Sequence, residues 1–362
     1  MTDEAPAREK PWLVRFARML AGGTEAKHQT PAPDLQRQVE ELILGGPRRY
    51  SRSQLQQIYG LDNAVSARLW RSLGFAEVGD DEVVFTDGDR EALERLGRLR
   101  AAGLVPDELE DAVTRSVGNA MAGLADWQVE MVYQLVDYGH GQVDEQQILD
   151  ISSRVVPLLR DMQTFVWRRH LAAAAGRLLA ALPGESETRT LVIGFADMVG
   201  FTRATRQLNP GELTVLIENF QGVVAEVVAT GNGRVVKTVG DEVLFVTDQP
   251  GDGAEIALNL LDRVAELDIL PELRIGLAVG PVVVRFGDVY GEAVNIAARL
   301  TTNVQPGRIL VDRNLAAALE HDGRFQVRLR RPLAVRGYRH LQSWGLTRAK
   351  RPRASTGDPD RA

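Results

Sequence analysis

A chain of 362 residues, 44% hydrophobic and 25% charged, is long enough for two domains and has the composition of a globular protein. Its formal net charge of -6 argues against general nucleic-acid binding, and the absence of cysteine excludes disulfides, thiol catalysis and thiolate zinc sites. Five histidines, none in a ligand-like pair, give no basis for a histidine-built metal centre.

No apolar run is expected to reach the length of a membrane span, and Asp3 and Glu4 stand where a signal peptide would be basic, so a cytoplasmic protein is expected. In residues 10–22, Trp12, Phe16 and Leu20 recur at helical spacing among Lys10, Arg15 and Arg18. That stripe fits either peripheral contact with a membrane surface or packing on protein. Residues 1–33, ending in a stretch rich in Gly, Thr, Gln and Pro, read as an N-terminal segment and linker.

Residues 34–185 read as an all-helical domain. A helix over 34–44 carries Leu35, Val39, Leu42 and Ile43 on one face and stops at Gly45-Gly46-Pro47. Ser51 or Ser53 caps a second helix that breaks at Gly60. A third runs over 63–73, a short strand is expected at 83–85, and Thr86-Asp87 cap a helix to Ala102. Phe85-Thr86-Asp87-Gly88-Asp89-Arg90, leading into Leu93, Leu96 and Leu99, makes residues 51–103 similar to the helix-turn-helix part of mercury-resistance-type regulators. The helix over 63–73 offers base edges only Arg68 and Arg71, so no nucleic-acid partner is expected and a regulatory module is the better reading. More helix follows over 106–138, then a long helix over 144–182, punctuated by Pro157 and Gly176 and striped by Leu158, Met162, Phe165 and Val166. His170 lies on it and is the side chain best suited to change charge near physiological pH. Alternatively it is a plain solvated histidine. The polar stretch 183–187 marks the boundary.

Residues 186–348 alternate strands and helices: strand 191–196, helix 211–230, hairpin 234–246, helix 253–267, strands 273–279 and 282–286, helix 293–302, strand 308–311, then a further helix and strands. That order gives an α+β fold around one mostly antiparallel sheet. Residues 349–362, dense in Arg, Pro, Ser and Asp, read as a disordered tail.

The chemistry-bearing residues lie in this second domain. The apolar run 191–196 ends on Asp197, beside Met198-Val199-Gly200-Phe201-Thr202, and Asp241 occupies the hairpin tip Gly240-Asp241-Glu242. Two carboxylates converging from a strand end and a neighbouring hairpin, with room for water and phosphate oxygens, suit Mg²⁺. Otherwise they are turn-forming aspartates. Lys237 precedes Asp241 by four residues, Asp288 stands just before a helix, and Asn295 and Arg299 share a face of that helix at i, i+4.

Phe195-Ala196-Asp197-Met198-Val199-Gly200-Phe201-Thr202, Lys237-Thr238-Val239-Gly240-Asp241 and the segment from Asp288 to Arg299 together resemble the three site segments of the class III nucleotidyl cyclases. The resemblance covers about 190–346 and implies a ferredoxin- or palm-like catalytic sheet. It implies that Asp197 and Asp241 bind two Mg²⁺ or Mn²⁺ ions per site, that Lys237 and Asp288 read the base, and that Asn295 and Arg299 hold the ribose and stabilise the transition state. It implies phosphate binding by the loop through Phe201 and Thr202, and places Arg336, in Ala334-Val335-Arg336-Gly337-Tyr338, near a phosphate-binding lysine of the family. Adenine offers an N6 donor to Asp288 and an N1 acceptor to Lys237, whereas guanine reverses both, so ATP is the expected substrate. The family's shared sites imply a homodimer. The two-domain layout is also similar to actinobacterial cyclases with a helical autoinhibitory domain that respond to pH.

Two other readings stand beside this one. Val239-Gly240-Asp241-Glu242-Val243-Leu244-Phe245 is similar to the signature of diguanylate cyclases, although Val239 replaces the first glycine and Asp288, Asn295 and Arg299 go unexplained. The other is a DNA-binding or nucleotide-sensing regulator with a degenerate catalytic domain, against which stands the presence of all six site residues.

Overall fold

The computed structural model describes residues 33–60, 63–103, 107–137, 145–180, 188–267, 269–335 and 337–349. They fall into two compact units, one within 24–181 and the other within 182–362. The expectations for residues 1–32, for the linker 183–187 and for 350–362 lie outside the described residues, as does Arg336.

The first unit is helical: α1 Pro33–Leu44, α2 Arg52–Tyr59, α3 Asn63–Ser72, α4 Asp87–Ala101, α5 Asp107–Asp137 and α6 Glu145–Ala180. Ser51 and Gln54 form a capping box at α2, and Thr86 and Asp89 form one at α4. Each cap satisfies amides that the first helical turn leaves unpaired and stabilises by about 1 kcal/mol. Arg52 is buried and donates to Asp80 Oδ1 at 2.6 Å and to the Val78 carbonyl at 3.2 Å, which pins the α3–α4 connection beneath α2. The strand expected at 83–85 is only an isolated bridge, Tyr50 to Phe85. Phe85 is buried there against the Trp70 ring, 5.0 Å away edge-on, so packing rather than a ladder holds the segment. Pro157 lies inside α6 without ending it, and the stripe Leu158, Met162, Phe165 and Val166 is exposed. Both basic residues offered by α3 are engaged within the unit: Arg68 with Asp111 at 3.3 Å and Arg71 with Glu77 at 3.0 Å.

The second unit is α+β. Its elements are β1 Thr188–Met198, α7 Phe201–Ala204, α8 Pro210–Thr230, β2 Arg234–Val239, β3 Glu242–Thr247, α9 Pro250–Ala265, β4 Leu273–Arg285, β5 Asp288–Tyr290, α10 Glu292–Asn303, β6 Arg308–Val311, α11 Arg313–Leu319, β7 Phe325–Leu329, β8 Leu333–Val335, β9 Tyr338–Leu341 and β10 Trp344–Arg348. The main sheet runs β2-β3-β1-β4-β6-β10-β7, with β5 paired to β4. All pairings are antiparallel except β4 with β6.

The two strands expected at 273–279 and 282–286 are one, β4, running through Gly280-Pro281. Proline is tolerated because β6 pairs only residues 274–277 and β5 only 283–285, so the stretch between them has β1 alone as a ladder neighbour. Helix α8 is long and apolar enough to cross a membrane, contrary to expectation. Its apolar face, Leu216, Phe220, Val223, Val224, Val227 and Val228, is instead buried in the core.

Alternation along the strands sorts the core into two layers. Val192, Ala196, Phe245, Ile275, Leu277 and Ile309 pack beneath α8, α9 and α11. Leu191, Ile193, Phe195, Leu244 and Ala278 face the other way, toward Ala293 and Ala297 of α10. Gly276 permits that second contact: a Cβ there would lie 2.4 Å from the Ala297 carbonyl oxygen.

Candidate functional site

Odd-numbered residues of β1 face the α10 side, and so does Asp197, one residue before the strand ends. Asp241 reaches it from the β2–β3 turn. That two-residue turn is closed by the Val239–Glu242 pair, with Gly240 at φ 61° in the first central position, as hairpins of the II′ kind require. The Met198 amide donates to the Asp241 carbonyl at 3.1 Å, which ties the turn to the end of β1. The two carboxyls lie within electrostatic reach of each other. Burial first, and then the Asp241 charge, push Asp197 up to about 6, with Arg274 opposing.

Arg274 escaped the sequence reading. On β4 it is the register partner of Asp197, and the row continues to Glu242 on β3 and Arg308 on β6. Paired residues share a face of the sheet, so two carboxylates and two guanidiniums stand side by side across four strands. Burial, followed by the charges of Asp197 and Asp241, pushes Glu242 up as well. The buried Arg274 Nε lacks a hydrogen-bond partner. In the sequence Arg274 looked like any alternating strand charge; only strand pairing reveals its neighbour.

A β-bulge places Lys237. Val235 pairs with Phe245 of the α8 layer, and the register then shifts so that Lys237 pairs with Leu244 of the α10 layer. Without the extra residue Lys237 would point to the opposite face. Asp288 opens β5 after the turn Phe286-Gly287, both at positive φ (51° and 83°). Val282 and Val289 pack with Val236, Leu244 and Val246, folding this hairpin over toward β2. Lys237 Nζ accordingly meets Asp288 Oδ2 at 2.5 Å, a pair in which Asp288 is three-quarters buried. Burial pushes the Asp288 carboxyl up, but Lys237 and the Val289 amide outweigh it, and the net result is lowered.

Asn295 and Arg299 project from the same side of α10, Asn295 exposed and Arg299 half-buried. The loop after Asp197 is more committed than its sequence suggested. The Met198 amide is used by Asp241 and the Val199 amide donates to the Glu272 carbonyl at 2.9 Å. Gly200, Phe201 and Thr202 remain as first-turn amides of α7, without intrahelical acceptors. The Phe201 ring lies against Gly240 and the core, so its side chain braces the turn. His170 is exposed on α6, in the other unit.

The structure thus gathers Asp197 with Asp241, Lys237 with Asp288, and Asn295 with Arg299. Among the described residues no hydrogen bond or ion pair joins the first couple to the second. Nor, among them, is any group of three His, Cys, Asp or Glu side chains placed to hold an ion. A half-buried carboxylate pair in which the Asp197 charge is disfavoured by burial and by its neighbour fits a divalent cation that fills its remaining positions with water and phosphate oxygens.

The profile of the family "Adenylate and Guanylate cyclase catalytic domain" matches residues 185–348. An adenylate cyclase of Streptomyces coelicolor is 41% identical over 300 residues, covering 80% of this chain and 78% of that protein. An adenylate cyclase of Glutamicibacter nicotianae is 32% identical over 362 residues, covering 94% and 90%. A pH-sensitive adenylate cyclase of Mycobacterium tuberculosis is 32% identical over 305 residues, covering 80% and 75%.

Proposed function

The chain belongs to the adenylate and guanylate cyclase family, and we propose that it converts ATP to 3′,5′-cyclic AMP and pyrophosphate at a site shared by two copies. The observation that carries the reading is that one chain holds a Lys237–Asp288 couple and an Asp197–Asp241 couple with no hydrogen bond or ion pair between them among the described residues.

In this reaction the ribose 3′-oxygen bonds to the α-phosphorus, the bond to the pyrophosphate oxygen breaks, and the hydroxyl proton leaves to solvent. Asp197 and Asp241 would hold two Mg²⁺ or Mn²⁺ ions, which would supply Lewis acidity for ionisation of the 3′-hydroxyl and positive charge against the departing pyrophosphate. Arg274, beside Asp197, adds fixed positive charge to the same region. The amides of Gly200, Phe201 and Thr202 donate to the terminal phosphates. Arg299, with its forked and permanent charge, faces the α-phosphate, and Asn295 orients the sugar. Arg336 is a further candidate for the phosphates.

Base choice rests on Lys237 and Asp288. Each satisfies the other in the free chain, and adenine substitutes for that contact by donating N6–H to Asp288 and accepting at N1 from Lys237. With Mn²⁺ and either nucleotide, the wild type should make cyclic AMP in large excess over cyclic GMP. Asp288→Ala should cut the ATP-over-GTP ratio in kcat/KM by about 10- to 100-fold, the effect of an unpaired polar group. A ratio unchanged in that variant, or equal use of both nucleotides by wild type, would remove the base-reading role.

We also propose that the helical unit restrains the catalytic one and releases it on acidification, a reading supported by the pH-sensitive relative. Helix α6 ends at Ala180 and β1 begins at Thr188, so a change in the helix has a short path to the catalytic sheet. Complete switching needs a differential of about 5.5 kcal/mol, more than the single exposed His170 supplies, so other groups share it. Full-length protein should rise in activity as pH falls from about 8 to 5.5, while a chain starting near Glu185 should not show that rise. Identical profiles would exclude the restraint, and a normal rise in His170→Ala would place the sensor elsewhere.

A further inference from the structure

Phe286 occupies a backbone position that Asn, Asp or Gly would suit better. With Gly287 it makes the two-residue turn between β4 and β5, at φ 51° and 83°, the left-handed pair that a type I′ hairpin turn requires. A bulky side chain is strained at the first of these positions. Packing does not compensate, because Phe286 is 48% exposed and joins none of the hydrophobic clusters among the described residues. What its ring does meet is Arg285, whose guanidinium carbon lies 5.2 Å from the ring centroid, within the range of a cation–π contact.

Arg285 is also the register partner of Asp288. Directly opposed residues of an antiparallel pair share a face, with Cβ atoms about 5 Å apart. A guanidinium so placed is the side chain best built to grip a carboxylate. Yet among the described residues no ion pair joins Arg285 to Asp288. Asp288 Oδ2 meets Lys237 at 2.5 Å, and Oδ1 accepts from the Val289 amide at 2.9 Å. Were Arg285 turned onto this carboxylate, it would take the acceptor assigned to adenine N6–H and present donors that suit guanine O6 instead.

We propose that Phe286 determines base specificity through Arg285: its ring holds the guanidinium off Asp288 and so keeps that carboxylate available to adenine. A strained turn residue with an exposed aromatic ring is what such a role requires, since the ring must sit beside Arg285 at the tip of the hairpin. The inference rests on the reading of Lys237 and Asp288 as the base-reading couple. A residue serving only the turn could be replaced by Asn with no change in base choice.

The test measures kcat and KM for ATP and for GTP with Mn²⁺ on full-length protein, beginning with wild type and Asp288→Ala. Phe286→Asn should have a Tm no lower than wild type, because Asn suits the turn. It should nevertheless lower the ATP-over-GTP ratio in kcat/KM by about 10-fold, chiefly through a higher KM for ATP. Phe286→Leu, which removes the ring without relieving the turn, should lower the ratio as far, and Phe286→Tyr should preserve it. Adding Arg285→Ala to Phe286→Asn should restore the wild-type ratio, because the competing cation is gone. A wild-type ratio in Phe286→Asn, or a ratio still low once Arg285 is removed, would overturn the role of Phe286 alone. A Tm well below wild type in Phe286→Asn would overturn the strain that motivates it. An unchanged ratio in Asp288→Ala would instead overturn the base-reading couple, and this role with it.

Discussion

Asp197→Ala and Asp241→Ala are each expected to keep the fold and lose ATP cyclisation on the order of a thousandfold or more, about 4 kcal/mol of transition-state stabilisation. The carboxylates are interchangeable in charge but not in setting: Asp197 is fixed by strand pairing between Glu242 and Arg274, and Asp241 by a hairpin turn bonded to the Met198 amide. Mn²⁺ titration by calorimetry should show binding lost in both variants. Near-normal turnover in either, with intact secondary structure, would remove the two-metal assignment.

Asp197 also allows a check that involves no turnover. Its folded pKa of about 6 exceeds the ordinary 3.8, with burial as the main cause and Asp241 the next. A carboxyl raised on folding binds its proton more tightly in the folded state. It therefore costs nothing at low pH, and a destabilisation develops as pH rises from about 4 to about 6 and persists above. Metal-free wild type should lose Tm across that window. Asp197→Asn, which carries no charge to penalise, should flatten the profile, matching wild type near pH 4 and exceeding it above about pH 6.5. Identical profiles for the two proteins would show that the carboxylate carries no such penalty.

What could be read from the sequence was what neighbouring residues decide. The buried run before Asp197, the hairpin around Gly240-Asp241 and the helical spacing of Asn295 and Arg299 are local signals, and each element stands in the structure. Features that depend on distant pairing could not be read. Val236 gives no sign in the sequence of being a bulge, yet the register shift decides which face Lys237 occupies. Gly280-Pro281 looked like a strand end because proline lacks the amide that a strand laddered on both sides needs, but β4 has only β1 beside it there. Arg274 was missed for the same reason: its partner lies on another strand, tens of residues away.

Mixing Lys237→Ala with Asp197→Ala should restore activity that neither possesses alone. Lys237 is already paired with Asp288 of its own chain, and no polar contact among the described residues links that couple to Asp197 and Asp241. If one chain supplies the carboxylates and its partner the base-reading couple, a heterodimer of the two variants contains one site with both faults and one with neither. Equal mixing with free exchange makes half the dimers mixed, and each has one working site of two, so about a quarter of wild-type activity should return. The recovered activity should also fall on dilution as dimers dissociate. Mixed dimers demonstrated by tagged co-purification but without recovered activity would place all six residues in a single-chain site, and the apo Lys237–Asp288 contact would then lie within the complete pocket. A recovery near a quarter would instead mean that each chain's couple is satisfied internally until two copies meet around the nucleotide, so that dimerisation and substrate together open the pair.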